Sequence, residues 1–336
     1  MRSPWPARPL VEDPAMNTPK IDISSVQAVG EDLRRPESVV VTAKGEIFVS
    51  DQLSAVRQLG QPRKTLVGMP EGFLSNGIAL TPERDFLIAN LSPATGGGIW
   101  RIDAQHHASP LIMEVEGQAL SNANFVTTDL QGRIWISAST RLVPRERAFN
   151  AQTSDGFIAV IDRHGARIVA DGISFTNECR MDPTGQWVYV NETYGRRLSR
   201  FRVLAQDPCQ LGPKEVVHQF SDGDFPDGLA FDAEGGVWVA CVVSNRIVRI
   251  VPGAGASVML ADADPALCAT ADAHYAQGFL TREDIDAGGK SVLGNTASVA
   301  FGGPDLRTVY LGNLANPHLC SFRSPIAGAE PAHWRY

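Results

Sequence analysis

Glu37, Asn76, Asn124, Asn177, Asp227 and Ala297 each head one of six stretches of the chain that resemble one another. Two carboxylates and three carboxamides gathered at one point would form an oxygen-rich, anionic pocket. Buried carboxylates are costly unless paired or metal-bound, and no Arg or Lys occupies any of the six positions. A divalent cation would offset that charge. An all-oxygen donor set favours Ca2+, Mg2+ or Mn2+, and Zn2+ is compatible if few protein ligands and a water hold it. Asn and Asp at strand starts also serve their own turn backbones. Such residues at five of six equivalent positions favour a shared metal site over independent turns.

The elements that must position these residues repeat along the chain. The stretches are ESVVVTAKGEIFV from Glu37, NGIALTPERDFLI from Asn76, NFVTTDLQGRIWI from Asn124, NECRMDPTGQWVY from Asn177, DGLAFDAEGGVWV from Asp227 and ASVAFGGPDLRTV from Ala297. Eight residues into four of them stands Gly45, Gly132, Gly185 or Gly235; the other two carry Arg84 and Asp305 within PERD and GPDL. Each unit therefore reads as a short strand, a tight turn and a second strand. Further strands are expected at 56–59, 98–103, 156–162, 198–203, 246–251 and 319–323. The starts are 39, 48, 53, 50 and 70 residues apart. Strand pairs at this period, without an amphipathic helix pattern, predict an all-β, six-bladed β-propeller. Its inner strands start at one mouth of the central channel, which places the six positions, and so the metal site, around the axis. Two loops at that mouth are swollen, 140–155 in the third blade and 262–295 before the last inner strand. Loops of that length in a compact domain are usually functional, and the second, with HYAQGFLTREDID, reads as a lid.

Composition narrows the function classes. The 336 residues are 43% hydrophobic, enough for a packed core, and carry a net charge of −7 with no basic cluster. That argues against nucleic acid and anionic membranes as partners. The longest apolar runs, such as VWVACVV at Val237–Val243, are strand-sized, far below the ~20 residues of a membrane helix. Five widely spaced cysteines, Cys179, Cys209, Cys241, Cys268 and Cys320, contain no CxxC pair and suit a reducing, cytoplasmic setting. The Pro-rich residues 1–20 lack a signal-peptide core and are expected to form a flexible extension, with 21–336 a single propeller domain.

Other constellations lead nowhere. There is no GxSxG elbow for a serine hydrolase, and Gly96-Gly97-Gly98 lacks the Lys-Ser/Thr of a phosphate loop. His106 and His107 read as a surface turn. Arg145 and Arg147, in the first long loop, read as solvated residues that an anionic substrate would use.

PESV at 36–39, the Asn124 and Asn177 segments, FPDGLAFDAEGGVWVA at 225–240 and the final SVAFGGPDLRTVYL resemble the gluconolactonase/regucalcin (SMP-30, LRE-like) family. The resemblance spans residues 30–325 and implies a six-bladed propeller that binds one divalent metal, Ca2+ first among the candidates, and hydrolyses lactones. It implies Glu37, Asn177 and Asp227 as metal ligands, with Asn124 beside the metal and touching substrate. Sugar-lactone members carry an Arg two residues before the third ring position and Asp-Gly after it. This chain has Asn122 and Phe125 instead.

The expected chemistry is metal-assisted hydrolysis of a lactone or related ester less polar than gluconolactone, with Asp227 the candidate base and Asn124 assisting. Asn76, Asn122 and Phe125, with His274 and Tyr275 of the lid, are the candidates for substrate contact. The rival readings are a non-catalytic binding scaffold and a metal-dependent isomerase or lyase on the same site.

Overall fold

The computed structural model describes residues 20–64, 67–221 and 223–335. Apart from Lys20, the expected N-terminal extension therefore lies outside the described residues. Antiparallel sheets follow one another as six blades, each a meander that starts at the axis and runs outward. Blade 1 comprises Val39–Val41, Ile47–Asp51 and Ala55–Gln58, and blade 2 Ser75–Leu80, Phe86–Asn90, Ile99–Ile102 and Ala108–Ile112. Blade 3 comprises Ala123–Thr128, Ile134–Ala138, Gly156–Asp162 and Gly165–Ile173. Blade 4 comprises Thr176–Met181, Trp187–Glu192, Arg197–Gln206 and Cys209–Gln219. Blade 5 comprises Asp224–Phe231, Val237–Val243, Arg246–Val251 and Gly255–Ala261. Blade 6 comprises Thr296–Gly302, Thr308–Asn313 and Leu319–Arg323, and its outermost strand is Gln27–Val29, which pairs Gln27 with Ser321. The chain thus closes its own ring.

The repeat has a physical basis in its turn. The residue eight places along is left-handed in five units: Gly45, Arg84, Gly132, Gly185 and Gly235 have φ of 80°, 66°, 75°, 69° and 82°. Only glycine takes that conformation without steric cost, which is why four of the five are glycine. The aspartate of the turn then locks the hairpin. Asp129 Oδ1 accepts from the Gln131 and Arg133 backbone N–H groups, and its Oδ2 accepts from Trp135 Nε1 at 2.7 Å. Asp232 repeats this with Glu234, Gly236 and Trp238 Nε1. Trp135 and Trp238 are buried between blades, so one carboxylate fixes both a turn and a core indole. Apolar clusters fill the spaces between neighbouring sheets, for example Trp135, Ile158, Val188 and Phe201 between blades 3 and 4.

Glu192 is fully buried at the end of its strand. Burial disfavours its charge, but Arg197, Ser199 Oγ and the Ser174 N–H all donate to it and hold it below the usual glutamate range. A depressed carboxylate contributes stability that is present above its unfolded pKa and is lost as pH falls through its lower folded value. Glu192→Ala strands Arg197 and Lys214 and should cost roughly 3 kcal/mol, the low end for a broken buried pair because both cations are part-exposed. Urea denaturation measures it: a drop in midpoint at pH 7 that shrinks below about pH 4 is the expected result.

Candidate active site at the channel mouth

The inner strands pack against one another in order around the axis, close enough to exclude side chains. A Cβ on Gly77 would lie 2.6 Å from Phe125 Cα, and one on Gly228 would lie 2.5 Å from the Ala297 carbonyl oxygen. That close approach accounts for the glycines following Asn76 and Asp227. Glu37, Asn76, Asn124, Asn177, Asp227 and Ala297 are all buried at the strand starts. Asn76 Nδ2 donates to the Asn124 carbonyl at 2.8 Å, joining blade 2 to blade 3. Asn177 Nδ2 donates to Thr193 Oγ1, which in turn donates to the Pro226 carbonyl, and Asn191 Nδ2 donates to the Asp227 carbonyl. The Asn76 and Asn177 amide nitrogens thereby donate to the scaffold.

Two of the ring's oxygens are not so engaged. Asn124 Oδ1 and Asn177 Oδ1 are buried without a hydrogen-bond donor among the described residues. Burial pushes Asp227 well above the usual aspartate range, and the neighbouring Glu37 and Glu178 carboxylates push it further. Orphaned hard oxygens beside two mutually repelling carboxylates fit a divalent cation held by Glu37, Asn177 and Asp227. Among the described residues no three His, Cys, Asp or Glu side chains gather to hold a metal, so such a site needs its carboxamide.

The ring is less anionic than the six positions suggest. Arg35 lies two residues before Glu37, on left-handed backbone (φ 54°) ahead of Pro36, and its guanidinium reaches into the mouth. It pairs with Glu37 Oε2 at 2.5 Å and donates to Asn76 Oδ1 at 2.8 Å. The expectation of no neutralising cation is corrected by this residue. Proline disfavours α conformation in the residue before it, a signal that the repeat register ignores.

The swollen loops are ordered. The first carries the helical turn Arg145–Ala148. Arg145 is not the solvated residue its loop suggested. Its Nε is buried without an acceptor and its guanidinium lies 5.0 Å from the centre of the Phe175 ring. Burial pushes its pKa down, with Tyr194, Arg282, Arg35 and Glu37 in electrostatic reach. The second loop contains helices α1 (Pro265–Ala276) and α2 (Arg282–Asp286). Asp264 caps α1 and Pro265 takes its first turn; this Asp-Pro pair was the available signal. The helix went unseen because it buries only Cys268 and Ala271, too little for an apolar stripe. Leu280 and Ile285 pack with Phe149, Phe175, Tyr194 and Phe225 over the mouth.

The candidates for substrate contact divide. Asn76 is in the ring, bonded to Arg35 and to blade 3. Asn122 donates to the Thr140 and Leu142 carbonyls, so it moors the Arg145 loop. Phe125 is 1% exposed and lies under the Arg180 guanidinium, 4.7 Å from its ring centre, which leaves it almost no surface to offer a ligand. His274 Nδ1 and Asp284 Oδ1 are 2.8 Å apart within the 262–295 loop. Tyr275 donates to the Tyr194 carbonyl and packs edge-to-face with Phe225, fastening α1 to the mouth. Deeper in the channel, burial lifts Glu178 to about 6 against the pull of Arg180. A cavity of about 270 Å³ opens at the opposite end, under residues 329–335, and includes none of the ring residues.

A six-bladed propeller whose inner strands present polar residues at one axial mouth defines a structural class, and comparison with known proteins narrows it. The SMP-30/gluconolactonase/LRE-like region matches residues 49–283. The chain belongs to that family. It is 28% identical over 163 residues to 6-deoxy-6-sulfogluconolactonase of Pseudomonas putida, covering 47% of this chain and 53% of that one. The chain thus spans about half the length of this curated relative, and 21% of a Xenopus laevis regucalcin. Among solved structures, the calcium-binding protein regucalcin of Agrobacterium tumefaciens superposes with a TM-score of 0.65 at 19% identity, covering 92% of this chain and 97% of that chain. A gluconolactonase of Xanthomonas campestris gives 0.61 at 13% identity, covering 90% of each chain. At these identities the structures support the fold. No described helix is long and apolar enough to cross a membrane, and the five cysteines are free and buried.

Proposed function

We propose that the protein is a metal-dependent lactone hydrolase working at the channel mouth. The observation that carries this reading is that Glu37 and Asp227 are buried at inner-strand starts in electrostatic reach of each other, with Asn177 Oδ1 buried and unpartnered at an equivalent start. The relatives named as lactonases support it. A divalent cation held there, Ca2+ first among the candidates, would supply a Lewis acid for the lactone carbonyl and lower the pKa of a water.

The chain's own residues do the rest. Asp227, a buried ring carboxylate, is the candidate to accept the proton of the attacking water. Asn124, buried with a free Oδ1, orients the reacting group. Thr193, Asn191 and Asn76 hold the ring's amides and backbone so that little reorganisation is needed as charge develops. The lid and the Arg145 turn screen the mouth from bulk water.

For the substrate, the reading keeps a lactone with fewer hydroxyls than gluconolactone, in an altered form. Phe125 cannot make the apolar wall, but Asn122 spends its N–H groups on loop carbonyls and offers no polyol grip. The test is metal analysis of the purified protein, then a panel of lactones and aryl esters with and without chelator. Expected are one divalent metal per chain, turnover abolished by chelator, and a higher kcat/KM for γ-valerolactone than for gluconolactone. Metal-free protein that opens lactones equally well in chelator would refute the metal. No lactone or ester turnover under any metal would favour the scaffold.

A further inference from the structure

Arg145 lies in electrostatic reach of two further arginines from separate elements, Arg35 and Arg282. Arg35 comes from the entry to blade 1, Arg145 from the blade 3 turn and Arg282 from α2 of the lid. Each has a different answer to the question of its counter-charge. Arg35 is paired with Glu37. Arg282 is paired with Asp286 one helical turn on, at 2.8 Å, and its side chain keeps 40% of its surface exposed. Arg145 is paired with no carboxylate among the described residues, and its buried Nε has no acceptor. Its guanidinium is held on the Phe175 face, in electrostatic reach of Arg35, Arg282 and Glu37.

Like charges converge only where something negative repays the repulsion. Glu37 and Asp227 do so in the metal-free ring. On the lactone-hydrolase reading, which this argument rests on, both carboxylates are committed to a cation. Arg282 keeps Asp286, but Arg35 then loses its counter-charge and Arg145 has none among the described residues. We propose that the missing charge is on the substrate: a lactone bearing an oxyanion substituent of carboxylate or sulfonate size, gripped by Arg145 from the wall and Arg282 from the lid. A guanidinium fork suits a planar or tetrahedral oxyanion better than a hydroxyl. Arg282 stands on the loop packed over the mouth, so the substituent both selects substrates and adds a tie between that loop and the wall.

The test separates this proposal from the lactonase reading by measuring binding without turnover. Methanesulfonate, a poor ligand for hard cations, is titrated into the calcium-loaded protein by calorimetry at fixed ionic strength. Wild type should bind it saturably. Arg145→Gln and Arg282→Gln should each weaken binding by at least about tenfold, the size of one charge-assisted hydrogen bond, while Arg147→Gln, on the same turn but exposed, should not. In turnover, γ-carboxy-γ-butyrolactone should exceed γ-valerolactone in kcat/KM, and Arg145→Gln should bring the ratio toward one through KM. No methanesulfonate binding by wild type, or binding that survives both substitutions, overturns the proposal whether or not any lactone is opened. Methanesulfonate binding of the expected pattern with no lactone turnover keeps the anion site and removes the hydrolase.

Discussion

Asp227→Asn is expected to give a folded propeller that gains no thermal stability from added calcium and hydrolyses no lactone above background. The fold should tolerate the change because Asp227 holds no blade together with its carboxylate. Its backbone carbonyl, which accepts from Asn191, is one of the ties between blades 4 and 5, and the substitution leaves it in place. The side chain is destabilising without a cation, since burial and Glu37 both oppose its charge. Metal-free Asp227→Asn should therefore melt at or above metal-free wild type. With calcium the order reverses. A ligand at 100 times its Kd adds about 2.7 kcal/mol to a protein that binds it only when folded, and the variant forfeits that gain. Removing several kcal/mol of Lewis-acid stabilisation should lower kcat/KM by roughly three orders of magnitude. Glu37→Gln should behave likewise, with Arg35 freed. Thermal melts with and without calcium, alongside metal analysis, decide it: stoichiometric metal in both variants would remove these residues from the site.

Replacing residues 263–289 with a short Gly/Ser linker is expected to keep the six sheets and lose most of the activity. The blades close without this segment, since their ladders run through other residues. The sequence alone suggests that trimming is harmless to stability, because the segment lies outside the repeat. The structure changes that expectation. Leu280 and Ile285 cover Phe225, Val242 and Val243, Asn245 donates to Gly288, and Asn295 donates to Ile285. Burying a Leu or Ile side chain is worth about 1.5–3 kcal/mol, partly offset by the freedom the removed residues no longer lose. A net loss of a few kcal/mol should appear as a lower melting temperature. Catalysis should fall by on the order of 10²-fold, as water enters and the substrate loses its orientation. A trimmed protein with wild-type kcat/KM would show that the segment is not a lid.

The contrast between these two experiments shows what a single sequence carries. Ring residues are legible because propeller geometry repeats: a position fixed relative to one turn is fixed in all six. Gly45, Gly132, Gly185 and Gly235 announce that register, and Asp129 with Trp135 and Asp232 with Trp238 explain why it is kept. Arg35 and Arg282 are illegible for the same reason, and Arg145 is legible only as a solvated loop residue, not as one buried against Phe175. None of them occupies a repeat position, so their approach to the axis depends on a left-handed residue before a proline, on a loop moored by Asn122 and on the five-residue helix α2. Phe125 failed differently. Its position was right, but its depth in the channel depends on how close Gly77 lets the neighbouring strand come.

The strand Gln27–Val29 lies against Leu319–Arg323, so residues some 290 positions apart in sequence are partners in one ladder. Local hairpins reward the chain within a few residues, whereas this pairing requires nearly all of it to be in place. Loop-closure entropy grows only slowly with length, about 0.6 kcal/mol per doubling, so the seam is affordable once the blades exist. The kinetic price is steeper, because non-local pairings dominate slow folders. The clasp between the first strand and the last blade should therefore form late. Once formed, it denies the ring a free edge from which blades 1 and 6 would otherwise separate, and it holds at fixed spacing the six strand starts on which the site depends.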